Sequence, residues 1–196
     1  MKHDVICIIF IIFLLFMNCS ISSAINIEKC DYPDYPAVCI PFILEKYLPQ
    51  KIKDCRLTKQ TKIVVMPLVP INSYGGVCES GTILSAANTI VPSLIESIIY
   101  KYVTVLERRQ IDKILKELSF QYSDLSDIEK AKKVGKMLGA DFIIIGEIKD
   151  DGCDYYCKSY NCPDYLNFRI VNIENGSVCS SLILNLDHFH DRILIK

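Results

Sequence analysis

Tryptophan is absent from this chain of 196 residues, and neither sign of charge dominates: 22 Lys and Arg face 23 Asp and Glu, for a net charge of −1. That balance supplies no basic excess for nucleic acid and no charged block of the kind that forms a solvated tail. No internal repeat and no low-complexity stretch occurs, which excludes repeat architectures. Several reaction signatures are also missing. The glycines of Ile71–Gly81 lack the Lys-Ser/Thr of a P-loop and the spacing of a dinucleotide fingerprint, so the segment reads as a connector. There is no G-x-S-x-G elbow, no Ser-His-Asp spacing, and no carboxylate pair that stands apart from ordinary surface charge.

What is present begins with an apolar N-terminus. Lys2 and His3 precede the run Val5–Met17. That run suits a secretory signal and falls short of the roughly 20 residues that a membrane span needs. Two endings are open. Ser22 and Ala24 are small residues placed for cleavage before Ile25; Leu15-Phe16-Met17-Asn18-Cys19 resembles a loose lipobox, with Cys19 as the acylated residue. The remaining alternative is an uncleaved anchor. Ten cysteines are present. Setting aside Cys7 and Cys19 leaves Cys30, Cys39, Cys55, Cys78, Cys153, Cys157, Cys162 and Cys179. An even set in an exported chain reads as disulfides, with the pairing open.

Three segments follow: a signal peptide over 1–24, a Cys- and Pro-rich extension over 25–60, and an α/β domain over 61–196. In the extension, Pro41 can open a one- or two-turn helix that ends before Pro49, and disulfides would strap the segment to the main domain. Lys62–Leu68 has the β-branched run of a central strand. Thr82–Tyr100 is amphipathic through Ile83, Leu84, Ala87, Ile90, Val91, Leu94, Ile95 and Ile98. Pro92 inside it requires either a bend over Asn88–Pro92 or a restart with Pro92 in the first turn. Tyr165–Ile173 and Val178–Leu186 read as a hairpin closed by Glu174-Asn175-Gly176-Ser177, whose Asn-Gly pair tolerates positive φ.

Val103–Ile148 is the most informative stretch. A strand at Val103–Leu106 leads into a helix at Arg108–Leu118, whose Ile111, Ile114, Leu115 and Leu118 share one face. A second helix spans Asp127–Leu138. Ser126 and Glu129 have the spacing of a capping box, and Gly139 suits the left-handed residue after the last turn. Phe142–Ile145 is a continuous apolar run, as in a strand covered on both faces. These residues resemble the CsgG-type family, which includes the curli secretion channel protein and related bacterial envelope lipoproteins. The matching positions are Val105, Glu107, Arg108, Ile111, Ile114, Leu115, Glu117, Ala131, Gly135, Leu138, Gly139, Ala140, Asp141 and Gly146. Arg169, Val171, Glu174 and Gly176 continue the pattern, with Asn172 where Asp is common, so the resemblance runs from about Lys62 to Leu186.

The resemblance implies an α/β (α+β) fold: a mixed β-sheet with helices packed against it, in a single CsgG-like domain. Membrane-spanning hairpins are not expected, because Lys149–Asp164 is polar and cysteine-rich and 25–60 is rich in proline. It further implies a non-enzymatic protein of the cell envelope, in the periplasm or at the outer membrane. Such a protein would act as an assembly or secretion component, with protein partners, a possible homo-oligomer, and no nucleic acid and no cofactor. A monomeric module that regulates a cell-wall or surface-structure partner is the alternative. A third reading starts from the cysteines. Cys153, Cys157 and Cys162, with Asp154 or Cys179, could ligate metal, yet their spacing is not that of paired knuckles and export favours disulfides. His188 and His190, flanked by Asp187 and Asp191, could share a strand face, but no third ligand is identifiable and a solvated end is the simpler reading. Glu107 and Arg108 suit an ion pair at the start of a helix better than catalysis.

Overall fold

In the computed structural model the described residues are 25–26, 36–71, 86–149, 165–185 and 194–195. The strands are β1 (Ile25–Asn26), β2 (Lys62–Val65), β3 (Val69–Ile71), β4 (Thr104–Val105), β5 (Phe142–Lys149), β6 (Tyr165–Asn172), β7 (Val178–Asn185) and β8 (Leu194–Ile195). The α-helices are α1 (Pro36–Asp54), α2 (Val91–Ile99), α3 (Ile111–Leu118) and α4 (Ile128–Met137). A π-helical turn (Ala86–Ile90) runs into α2, and a 3-10 turn (Tyr122–Ser126) precedes α4.

The strands form one mixed sheet in the order β1-β8-β7-β6-β5-β2-β4, with β3 also on β5. β4, β2 and β5 run parallel; β5, β6, β7, β8 and β1 alternate in direction. Strand alternation sends side chains to two faces. Ile63, Val65, Ile144, Phe168 and Leu184 pack under α1 and α2. Val64, Met66, Ile143, Ile145 and Val171 pack under α3, the 3-10 turn and α4. β5 is therefore covered on both sides, which explains its unbroken apolar run.

Sequence and structure differ most in the extension. α1 is a 19-residue helix that contains both Pro41 and Pro49, not a short one ending before Pro49. Proline in a helix interior costs roughly 3 kcal/mol. Burial of Ile40, Ile43, Leu44, Tyr47, Leu48 and Ile52 opposes that cost, each side chain contributing about 1.5–3 kcal/mol. The segment thus supplies core for the face under β6 and β7, and the Cys55–Cys179 disulfide fastens its end to β7.

Smaller differences have local causes. The expected strand Lys62–Leu68 stops at Val65, since Pro67 has no N–H for the ladder; pairing resumes as β3. β4 is shorter than Val103–Leu106, and α3 begins at Ile111 rather than Arg108. The expected capping box at Ser126 is not formed. Asp127 caps α4 instead, accepting from the N–H groups of Glu129 (2.8 Å) and Lys130 (3.1 Å), while the Ser126 hydroxyl donates to the Ser123 carbonyl. Aspartate is equally suited to a cap, and it wins here by standing one residue nearer the helix. Ile90, expected on an apolar face, is 60% exposed, because a π turn inserts an extra residue and rotates the phase of the pattern. In the β6–β7 turn only Gly176 has positive φ (75°), not Asn175. Asn172 Oδ1 accepts there from the N–H groups of Glu174 (2.8 Å) and Asn175 (3.2 Å), as a carboxylate would.

Candidate functional site

A cleft of about 580 Å³ opens at the carboxyl ends of the parallel strands β2 and β4, beside the start of α3 and the 3-10 turn. In open α/β sheets this end is where ligands settle, because chain turns diverge there and leave a crevice. Its floor includes Pro67, Val105 and Leu106, and its polar groups are Glu96, Glu107, Arg108, Arg109, Asp112 and Tyr122.

The position of Arg108 follows from one proline. In an α-helix the carbonyl of Asn88 would accept from the N–H of residue 92, and Pro92 has none. Arg108 Nη1 donates to that carbonyl instead, at 3.1 Å. Arg108 Nη2 donates to Ser93 Oγ (3.0 Å), and Nε lies 2.7 Å from Glu96 Oε1. The π turn is committed in the same way: the Leu68 N–H donates to the Ala87 carbonyl at 3.0 Å. Arg108 therefore ties the β4–α3 connection to the first turns of α2. Burial raises the Glu96 carboxyl above its ordinary range, against the opposing pull of the Arg108 charge and hydrogen bond. Desolvation outweighs attraction in this pair, so it fixes geometry more than it adds stability.

Toward solvent, Arg109 and Glu107 pair at 2.8 Å with both side chains largely exposed. Such a pair contributes at most about 1 kcal/mol to folding and is free to exchange partners. Glu107 precedes the helix and so does not occupy its first turn; the acid there is Asp112. The Tyr122 hydroxyl donates to Asp112 Oδ1. Burial, the Asp112 hydrogen bond and the Asp112 charge push the Tyr122 phenol up from 10 to about 12. Because the folded value lies above the unfolded one, this contact stabilises the fold fully below pH 10 and loses its effect as pH rises toward 12. A difference titration of phenolate absorbance should therefore show that Tyr122→Phe removes a phenol ionising near pH 12. Loss of a phenol that ionises near pH 10 would instead disprove the contact.

The structure separates the residues singled out in the sequence. Arg108 and Glu107 stand together at the cleft, the first engaged through each of its three side-chain nitrogens and the second exposed. Cys55 and Cys179 form a disulfide. The side chain of Cys39 lies outside the described residues, as do Cys19, Cys30, Cys78, Cys153, Cys157, Cys162, His188, His190 and the loop glycines Gly75, Gly76 and Gly81. Among the described residues no group of acidic, His or Cys side chains is arranged to hold a metal, and no helix is long and apolar enough to cross a membrane. Sequence reasoning missed Glu96, Asn88, Ser93, Asp112 and Tyr122. The signal was Pro92, which frees a carbonyl that some nearby donor must satisfy.

The remaining pattern positions have structural reasons. A Cβ on Gly146 would meet the Asn167 carbonyl oxygen at 2.1 Å, and one on Gly135 would meet Ile143 and Ile173 side-chain carbons at 2.6 Å. Gly139 has φ 73° after the last turn of α4. Asp141 joins two strands: its Oδ2 accepts from the Lys62 N–H, its own N–H donates to the Lys62 carbonyl, and its carbonyl accepts from the Ile173 N–H. Arg169 Nη2 donates to the Ser126 carbonyl at 3.2 Å, tying β6 to the 3-10 turn.

Comparison with known proteins agrees with this architecture. The family model described as "Curli production assembly/transport component CsgG" matches residues 55–150. No curated protein matches the chain. Among solved structures, the LpoB C-terminal domain from Salmonella enterica superposes with a TM-score of 0.50 at 13% identity, covering 71% of this chain and 92% of that one. The NMR structure of E. coli LpoB gives 0.52 at 12% identity, over 91% of this chain and 74% of that one. Identities this low establish a shared fold and no more.

Proposed function

Because residues 55–150 belong to the CsgG family, we propose that this chain is a non-enzymatic protein of the bacterial cell envelope that acts through protein–protein contacts made at the cleft. The observation that carries this reading is the engagement of Arg108 within the fold. All three of its nitrogens are engaged by Asn88, Ser93 and Glu96, so it shapes the cleft rather than serving as a reactive group. Tyr122, its phenol pushed up to about 12, is no base near neutral pH. What remains for a partner is a rim of Thr89, the Tyr122 ring and the exchangeable Arg109–Glu107 pair. Aromatic and arginine side chains around a polar crevice are the composition of protein contact sites. The finer reading follows the family: an assembly or secretion component, anchored by a lipid on Cys19 and placed in the periplasm or at the outer membrane. The eight remaining cysteines serve as disulfide staples.

A photo-crosslinking residue at position 89, in the disulfide-intact protein extracted in mild detergent, tests the contact. A discrete polypeptide adduct is expected from position 89 and not from position 42, which is also exposed but lies on α1. Equal adducts from both positions, or none, would sink the cleft as the contact site. An adduct of twice the chain mass identifies the partner as a second copy and supports a ring-forming component; a heavier or lighter adduct supports the regulatory module on a different protein.

A further inference from the structure

Two features of the fold lie at opposite edges of one sheet. The cleft is built on β4 and β2, at one end of the strand order. β1, the first described strand, closes the other end through its pairing with β8: Ile25 stands opposite Ile195 and Asn26 opposite Leu194. Six strand-to-strand steps separate β1 from β4. At about 4.8 Å per step the two edges are roughly 30 Å apart. Cys19 precedes Ile25 by only the residues 20–24, a tether that spans at most roughly 20 Å when fully extended.

We infer that the cleft is the membrane-distal end of the molecule: the acylated end of the chain joins the sheet at the edge opposite the cleft, so a polypeptide partner engages the cleft from the aqueous side. This rests on the reading of Cys19 as the lipid-bearing residue. The tether is shorter than the sheet is wide, so the bilayer lies near the β1 edge. Reaching the bilayer with the cleft would require the domain to lie down on a face or on the strand ends where the cleft opens; both faces carry helices, and that end presents the charged Glu107, Arg109 and Asp112. The large exposed apolar side chains among the described residues are spread over α1, the π turn, the end of α2, the 3-10 turn, α4 and β7. They give no single face a reason to lie on lipid.

The absence of tryptophan makes the test simple, since a single introduced Trp reports alone. Thr89→Trp marks the cleft rim at an exposed site; Ile25→Trp and Asn26→Trp mark the opposite edge. The full chain, processed in cells, is reconstituted into phosphatidylcholine vesicles that carry a nitroxide on a fraction of their headgroups. Retention of the Cys55–Cys179 disulfide checks that each variant is folded. The expected result is flotation with the vesicles, emission from positions 25 and 26 quenched at least two-fold, and emission from position 89 unchanged. Equal or stronger quenching at position 89 overturns the orientation while leaving the anchor intact. A processed chain that does not float overturns both, and cleavage after Ala24 then takes the place of acylation.

Discussion

Gly146→Ala is expected to destabilise the fold by about 4 kcal/mol or more, in the range reserved for single substitutions with no local relief. The added methyl would stand 2.1 Å from the Asn167 backbone oxygen and 3.1 Å from a Leu68 side-chain carbon. The oxygen belongs to β6, which pairs with β5 over eight residue pairs, so relief means opening the centre of the sheet. Gly135→Ala should cost less, about 1–3 kcal/mol, because its close contacts are side-chain carbons of Ile143 and Ile173 that can turn aside. Gly139→Ala should cost only about 1 kcal/mol, from its positive φ, since no atom lies within 4 Å of the new methyl. Guanidinium unfolding of the three variants, with disulfides kept, gives the order directly. A Gly146 variant as stable as the Gly139 variant would disprove the close approach of β5 and β6.

Removal of the Cys55–Cys179 link, by Cys55→Ser with Cys179→Ser, is expected to lower stability by about 3–5 kcal/mol. The bond closes a loop with a sequence separation of 124, and long loops gain the most from closure. Its position sharpens the expectation. Cys55 follows α1 directly, and α1 supplies Ile43, Leu44, Leu48 and Ile52 to the core under β6 and β7. Hydrogen exchange in the double variant should therefore rise first in α1, with β2 and β5 still protected. A shift below about 1 kcal/mol, or loss of protection that begins in β5, would show that the helix is held by packing alone.

The parallel half of the molecule was legible in the sequence because local signals agreed there. Ile111, Ile114 and Leu115 face the core at helical spacing, Gly139 takes the left-handed conformation after α4, and the apolar run of β5 is buried on both faces. The Asn175-Gly176 turn closed the predicted hairpin. The family positions were legible as a pattern, although not their reasons: Gly146 and Asp141 look ordinary until the strands beside them are placed.

The sequence by itself determined strands β2, β4, β5, β6 and β7 and the buried faces of α3 and α4, because those properties follow from side-chain periodicity and local conformational preference; the likeness to the CsgG family rested on its motif residues. Only the tertiary structure decided the rest. α1 runs through two prolines because a waiting apolar face on β6 and β7 compensates their cost, a balance no local window contains. Arg108 became the frame of a cleft because Pro92, sixteen positions earlier by subtraction of their numbers, leaves a carbonyl without its helical donor. Cys55 found Cys179 because the fold brings their Cα atoms to 5.4 Å, and chain entropy gives no clue to that pairing in advance.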